Sequence, residues 1–267
     1  MLDEMVPPAD ADSPLISWLG HSTVVLEAGG ARILTDPLLL RHNGPLRRRG
    51  SRPSSILWEE PDAVLLSHLH HDHAELRSLR LVAPAPVLTA PANAVWLRAR
   101  GLNGTGLEPE QAHDVPGTKA QVRLVRAEHG HRPMPHRPNA VNGHLVTAPG
   151  LSVWLAGDTS LYDGMERLPE LAGGRIDLAV VPIGGWGPRL SGGHMDPEQA
   201  AQACARVGAR AAVPVHWGTL RAPVVGRFPR GWMDAGGPDF VRALERVAPD
   251  CRPMVLGLGE QAGIPVL

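Results

Sequence analysis

The sequence predicts an α/β fold, a four-layer αββα sandwich, on three observations. Each half of the chain opens on a β-meander or hairpin and continues as alternating helix and strand. Two runs, Ala63-Val64-Leu65-Leu66 and Asp177-Leu178-Ala179-Val180-Val181-Pro182-Ile183, are apolar almost without interruption, as strands buried on both faces must be. Histidines and aspartates gather just after such strands, where loops on a rigid scaffold carry chemistry. Residues 1–267 read as a single domain, with a loose acidic segment over 1–13.

In order, Leu15–Leu19 and Thr23–Glu27 read as strands, and Gly29-Gly30 turns the chain into Ala31–Thr35. That strand ends on Asp36-Pro37, a carboxylate followed by a residue that cannot donate to a ladder. Leu38 to Glu60 reads as an irregular, solvated loop carrying Arg41, Arg47, Arg48, Arg49 and Arg52. Its sharper reading is an anion-attracting flap, with Arg49 as a substrate contact, because guanidinium forks match phosphate and carboxylate. After Ala63–Leu66, the spacing of Leu76, Leu79, Leu81 and Val82 predicts a helix. Then come a short strand at Pro86–Thr89, a helix from Pro91 to Gly101 and an alternating strand over Gln121–Glu128.

The second half begins with a hairpin, Asn142–Thr147 and Leu151–Ala156, around Pro149-Gly150. Asp196 is a good N-cap and Pro197 fits a first helical position, so a helix is expected to run to Gly208. Ala211–Val215 is a further strand, Pro223 to Gly237 a loop, Pro238 to Val247 a helix and Met254–Leu256 a final strand.

The chemistry centres on Ser67-His68-Leu69-His70-His71-Asp72-His73. In extended backbone, His68 and His70 project to one side and can share a metal ion. Asp72 and His73 fall in the following turn and can hold a second ion, while His71 points elsewhere. The bland alternative is a histidine-rich turn with Asp72 as a helix N-cap. Imidazole and carboxylate together suit zinc, manganese or iron, and zinc is the expected metal.

Bulk composition narrows the classes. Hydrophobic residues make up 43% and charged residues 20% of 267, as in an ordinary globular protein. The net charge of -1 gives no general case for a nucleic-acid partner. Two cysteines, Cys204 and Cys251, make no disulfide framework, and no segment reads as a signal peptide or membrane span. The cytoplasm is the expected compartment, with a small-molecule substrate, no stable membrane anchoring and room for a homo-oligomer.

His68-x-His70-x-Asp72-His73 resembles the HxHxDH signature of the metallo-β-lactamase superfamily. Trp18-Leu19-Gly20-His21-Ser22-Thr23, Thr35-Asp36-Pro37, Gly157-Asp158-Thr159, His194-Met195-Asp196-Pro197-Glu198 and His216-Trp217-Gly218-Thr219 are similar to the branch containing N-acyl-phosphatidylethanolamine phospholipase D and ascorbate-6-phosphate lactonase. The resemblance implies two divalent ions. His129, preferred to His131, completes the first set with His68 and His70; His216 joins Asp72 and His73; Asp158 bridges. It also implies that Asp36 and His21 orient ligands, that Asp72 and His194 act catalytically and that Trp217 touches substrate.

The implied reaction is hydrolysis by a water held between the ions, on a phosphodiester or related phosphorylated small molecule, or alternatively on a lactone. The phospholipase has a longer N-terminal region that helps form a membrane-facing entry, and nothing in this sequence reads as an interfacial amphipathic helix, so phospholipid is not the expected substrate. A flavodiiron-type oxidoreductase would prefer glutamate where His70 stands. A non-catalytic binding module would lack some of these ligands, and a superfamily nuclease would carry a further domain.

Overall fold

The computed structural model describes residues 13–130, 134, 136–222 and 230–266. The opening meander forms as expected: β1 (Leu15–Gly20), β2 (Thr23–Ala28) and β3 (Ala31–Thr35) pair antiparallel in succession. The arginine-rich loop holds a small hairpin, β4 (His42–Asn43) and β5 (Leu46–Arg48). Then follow β6 (Ala63–Leu65), α1 (Leu76–Leu81), β7 (Val87–Thr89), α2 (Pro91–Arg98), β8 (Gly104–Gly106) and β9 (Ala112–Asp114).

The second half runs β10 (Gln121–Val125), β11 (Gly143–Ala148), β12 (Leu151–Leu155), α3 (Leu168–Leu171), β13 (Leu178–Pro182), α4 (Pro197–Arg206) and β14 (Ala211–Val215). It ends with β15 (Leu220–Arg221), α5 (Trp232–Val247), β16 (Arg252–Pro253) and β17 (Gln261–Gly263).

Two seven-stranded sheets result, ordered β17-β1-β2-β3-β6-β7-β8 and β16-β14-β13-β12-β11-β10-β9, with β15-β5-β4 as a small rim sheet. The inner faces of the two large sheets share one apolar core, in which Ile16, Leu26 and Ile33 meet Val122, Val153 and Val213. Leu79 and Leu97 of α1 and α2 pack on the outer face of the first sheet. Ala203, Cys204, Phe240 and Leu244 of α4 and α5 cover the second. This is the four-layer αββα sandwich. Burial of that much apolar surface, at about 25 cal/mol per Å², drives the layering.

Local chemistry places the helix starts. Asp196 Oδ1 accepts from Gln199 N at 2.8 Å while Gln199 Oε1 accepts from Asp196 N at 3.1 Å, a reciprocal cap on α4. Glu75, not Asp72, caps α1, which leaves the Asp72 carboxylate for other work.

Four expectations need correction. The 121–128 strand stops at Val125. The chain beyond Arg252–Pro253 leaves the second sheet, and a strand absent from the expectation, β17, pairs with β1 in the first. The Arg41 to Arg52 segment is partly a sheet, not an irregular loop. Helix α5 starts at Trp232 with Pro238 inside it. The Gly236-Gly237-Pro238 run reads as a break, but the packing explains the glycines: a Cβ at Gly237 would sit 2.7 Å from the Trp217 ring.

A buried polar network ties the halves together beneath the site. Asn142 N donates to Ser67 O at 3.0 Å, its Oδ1 accepts from Ala90 N at 3.2 Å, and its Nδ2 lies 3.1 Å from His144 Nε2. Burial lowers the His144 pKa to about 4. The folded value lies below the unfolded one of 6.5, so stability is intact above pH 6.5 and erodes as pH falls toward about 4. Denaturant unfolding of His144→Asn against wild type is expected to show an acid-dependent difference approaching roughly 3 kcal/mol over that window. A pH-independent difference would assign His144 no part in acid sensitivity.

Candidate metal centre

The site forms where the two sheets present their carboxyl ends to the same cleft. Beyond β6 the chain carries Ser67, His68 and His70, then turns through Asp72 and His73. His129 follows β10 by four residues, and its position is fixed by Glu128, whose N donates to Thr159 Oγ1 at 2.9 Å and whose O accepts from Ser160 N at 2.7 Å. Asp158 leaves β12 after Gly157, where a Cβ would sit 2.7 Å from Ser67 Cβ. His216 follows β14 directly. His21, Asp36 and His216 have φ of 53°, 32° and 64°, left-handed backbone at three strand ends of one site. Such strain persists where the surroundings over-determine it.

The hydrogen bonds decide which way each imidazole presents its lone pair. His73 Nδ1 donates to Asp36 Oδ2 at 2.8 Å, His129 Nδ1 to Gly193 O at 2.7 Å and His216 Nδ1 to Gly184 O at 2.8 Å. In its neutral form each ring therefore turns the Nε2 lone pair inward. Ser67 Oγ donates to Asp36 Oδ2 at 2.7 Å and so can accept from His68 Nδ1 at 2.9 Å, which leaves His68 Nε2 free. One carboxylate, Asp36, thus orients two imidazoles, the arrangement that fixes tautomer and raises basicity in metal ligands. His21 Nε2 lies 3.0 Å from Asp72 Oδ2 and orients that carboxylate.

Facing nitrogens and oxygens then crowd together. His73 Nε2 is 3.2 Å from His216 Nε2 and 3.1 Å from Asp158 Oδ2; His70 Nδ1 is 3.0 Å from His129 Nε2. Donor atoms of His68, His70 and His129 lie within 4.8 Å of one another, as do those of His21, Asp72, His73 and His216. Asp158 joins His68 and His73 in one such group and His129 and His194 in another. His68 Nε2, His70 Nε2 and Asp158 Oδ1 are buried with no hydrogen-bond partner. The unpartnered lone pairs of these three atoms, set among the other donors, fit divalent cations, and N/O donors of this kind suit zinc, manganese or iron.

The site holds its carboxylates ionised and most of its imidazoles neutral, while His73 keeps a proton until a cation takes its place. Burial raises Asp158 and Asp72, but neighbouring histidines outweigh it and hold both carboxyls well below their usual range. Burial also lowers His73, yet Asp158 and Asp36 push it well above the ordinary imidazole value. His68 lies well below that value, and His70 and His21 fall to about 4, mainly through burial.

A sequence profile of the β-lactamase superfamily domain matches residues 31–217, a span that contains every one of these donors except His21. The chain belongs to the metallo-β-lactamase superfamily. Among its relatives, a UPF0173 metal-dependent hydrolase of Nitratidesulfovibrio vulgaris is 30% identical over 256 residues, covering 92% of this chain and 93% of that one. Another, from Methanosphaerula palustris, is 32% identical and covers 91% and 97%.

Solved structures agree on the fold. Igni18, a metallo hydrolase of Ignicoccus hospitalis, superposes with a TM-score of 0.72 at 23% identity over 94% of this chain and 97% of its own. CmlA, a diiron β-hydroxylase of Streptomyces venezuelae, gives 0.70 at 14% identity over 95% and 55%. With curated relatives of this kind, the protein is a metal-dependent hydrolase of the superfamily.

The remaining sequence expectations fall in several places. His194 closes the site, with Nδ1 3.1 Å from Ser191 O and Nε2 3.3 Å from Asp158 Oδ2. Gly193 beside it is required, because a Cβ there would lie 2.3 Å from Gly130 N. His71 is exposed and, as expected, belongs to none of the donor groups; it lines the mouth of the pocket. Trp217 does not contact the pocket: its ring stacks on Trp18 at 5.6 Å, its Nε1 donates to Pro214 O, and α5 covers it. Arg49 pairs with Asp234 and lines a different cavity. His131 and residues 1–12 lie outside the described residues. Ser67 and Asn142 were not anticipated, since their roles rest on partners distant in sequence.

Proposed function

We propose that the protein hydrolyses a phosphodiester, or a related phosphorylated small molecule with an apolar substituent, at a centre of two divalent ions, with zinc the expected metal. The observation that carries this reading is the division of donors into two sets, His68, His70, His129 and Asp72, His73, His216, with Asp158 between them. When bound, such ions act as Lewis acids and lower the pKa of water toward roughly 7.

The chain's own residues supply the rest. A cavity of about 740 Å³ opens beside the donors, lined by Leu46, Met134, Trp186 and Leu190 with Arg189. The apolar side chains take the substituent and exclude water, and Arg189 offers a guanidinium fork to the phosphate. Asp72, held by His21, orients the attacking water. His194 is mostly buried and its pKa is raised: burial works against the proton, but the hydrogen bond and charge of Asp158, with the Ser191 carbonyl, together outweigh it. It is therefore suited to give a proton to the leaving oxygen. The largely apolar lining also favours a second reading, a lactone or ester whose alkoxide His194 would protonate.

Elemental analysis after metal reconstitution, with turnover of a bis-aryl phosphodiester and an aryl lactone, tests the proposal. About two equivalents with phosphodiester turnover supports it. Lactone turnover alone would move the assignment to the second reading. About two equivalents with no turnover of either substrate would favour a non-catalytic metal-binding module, and less than about half an equivalent with no turnover a binding module without catalysis.

His194→Gln is expected to lower kcat about 10²-fold for a phenyl leaving group with metal content unchanged. The loss should shrink for a nitrophenyl leaving group, which needs no proton. Equal losses for both, or loss of metal, would make His194 a ligand and not an acid.

A further inference from the structure

Behind the rim sheet lies a second cavity, about 440 Å³, lined by Arg41, Arg47, Arg48, Arg49 and Arg221, with Gly50 and Met233. None of these residues lines the pocket beside the metal donors. The rim sheet separates the two, since Asn43, Gly44, Pro45 and Leu46 face the metal pocket while Arg47 and Arg48 face the other. Its third strand, β15, brings Arg221 beside Arg47 in register.

Five arginines therefore line one cavity in a chain whose net charge is -1. Among the described residues, no acidic side chain lines it, and Asp234 pairs with Arg49 alone.

Arg48 gives the sharpest evidence. It is only 3% exposed, and its Nη1 and Nη2 donate to the carbonyls of Leu19 and Leu38. Its Nε is buried with no partner, and among the described residues no carboxylate pairs with it. A buried cation held only by carbonyl dipoles lacks the counter-charge that burial demands. Burial lowers its pKa to about 10, which still leaves it charged near neutrality. Arg41, Arg47 and Arg221 form no ion pair among the described residues either, although like charges this close repel unless an anion lies between them.

We propose that this cavity is a second anion site, distinct from the substrate pocket, and that it takes a compact polyanion of the diphosphate class. Two phosphate groups suit a cavity of this size and present enough oxygens for several guanidinium forks at once. Because β5 borders both cavities, the ligand braces the rim of the metal pocket.

Calorimetric titration of inorganic pyrophosphate into the metal-loaded protein tests this. Binding is expected to weaken at least ten-fold in the double variant Arg47→Ala/Arg221→Ala and to be unchanged in Arg189→Ala. In wild type alone, pyrophosphate is expected to slow amide hydrogen exchange in segments 42–48 and 220–221. Equal affinity in wild type and the double variant, or loss of binding in Arg189→Ala instead, would place the anion at the metal pocket and overturn the proposal. A single-stranded oligonucleotide that displaces pyrophosphate from wild type at lower concentration than pyrophosphate itself needs would also overturn it, in favour of a nucleic-acid surface.

Discussion

Asp158→Ala is expected to lower hydrolysis by roughly 10³-fold or more and to reduce bound metal from about two equivalents to one or fewer. Asp158 is 2% exposed and places Oδ2 3.1 Å from His73 Nε2, 3.2 Å from His216 Nε2 and 3.3 Å from His194 Nε2, with Oδ1 unpartnered. No other carboxylate among the described residues stands between the two donor sets. On the proposed two-ion reading, removing it takes away the negative charge that would let two cations lie side by side, and it also frees His194 from a partner that keeps its proton.

The comparison with Asp158→Asn separates these roles. Asparagine keeps the shape and one acceptor oxygen but loses the charge, so metal content should fall nearly as far as with alanine. Metal stoichiometry by mass spectrometry alongside kcat/KM decides it. Wild-type stoichiometry in both variants would show that the ions are held without Asp158.

The donor residues were legible in sequence because each lies at a strand end, where an apolar run announces a buried strand and the residue after it inherits a fixed direction. His68, His70 and His216 are of this kind. His129 is less direct: its strand stops at Val125, and the backbone bonds of Glu128 to the Asp158 loop hold it. Residues that act through partners far along the chain were not legible. Ser67 relays Asp36 to His68 across 31 residues, and Asn142 joins Ser67 to Ala90.

Trp217 shows the opposite error. It stands next to a ligand, which reads as a substrate contact, but Gly236 and Gly237 exist to let α5 close over its ring. Likewise the arginines of the rim read as a loop because strands of two and three residues have no period to detect. What holds β5 as a strand is its pairing with β4 in a local hairpin and with β15, which lies about 170 residues away.

Asp36→Ala is expected to cost about 3 kcal/mol of stability and to weaken metal binding roughly 10- to 100-fold, though Asp36 donates no atom to the centre. Its Oδ1 accepts from Ser67 N at 2.8 Å and its Oδ2 from Ser67 Oγ at 2.7 Å and His73 Nδ1 at 2.8 Å, in a site 3% exposed. Alanine leaves three buried donors without an acceptor.

Asp36→Asn distinguishes positioning from filling space. The amide oxygen can still accept from Ser67 N, so chemical denaturation of the metal-free protein should show most of the stability retained. The amide N–H, however, faces His73 Nδ1 and Ser67 Oγ, so Nδ1 must become the acceptor and the imidazole proton moves to Nε2. That nitrogen points at His216 Nε2 and Asp158. A protonated Nε2 cannot ligate, so metal affinity should fall in Asp36→Asn as far as in Asp36→Ala while stability does not. If the two quantities fall together in both variants, Asp36 is a packing residue, and the proton arrangement argued for His73 is wrong.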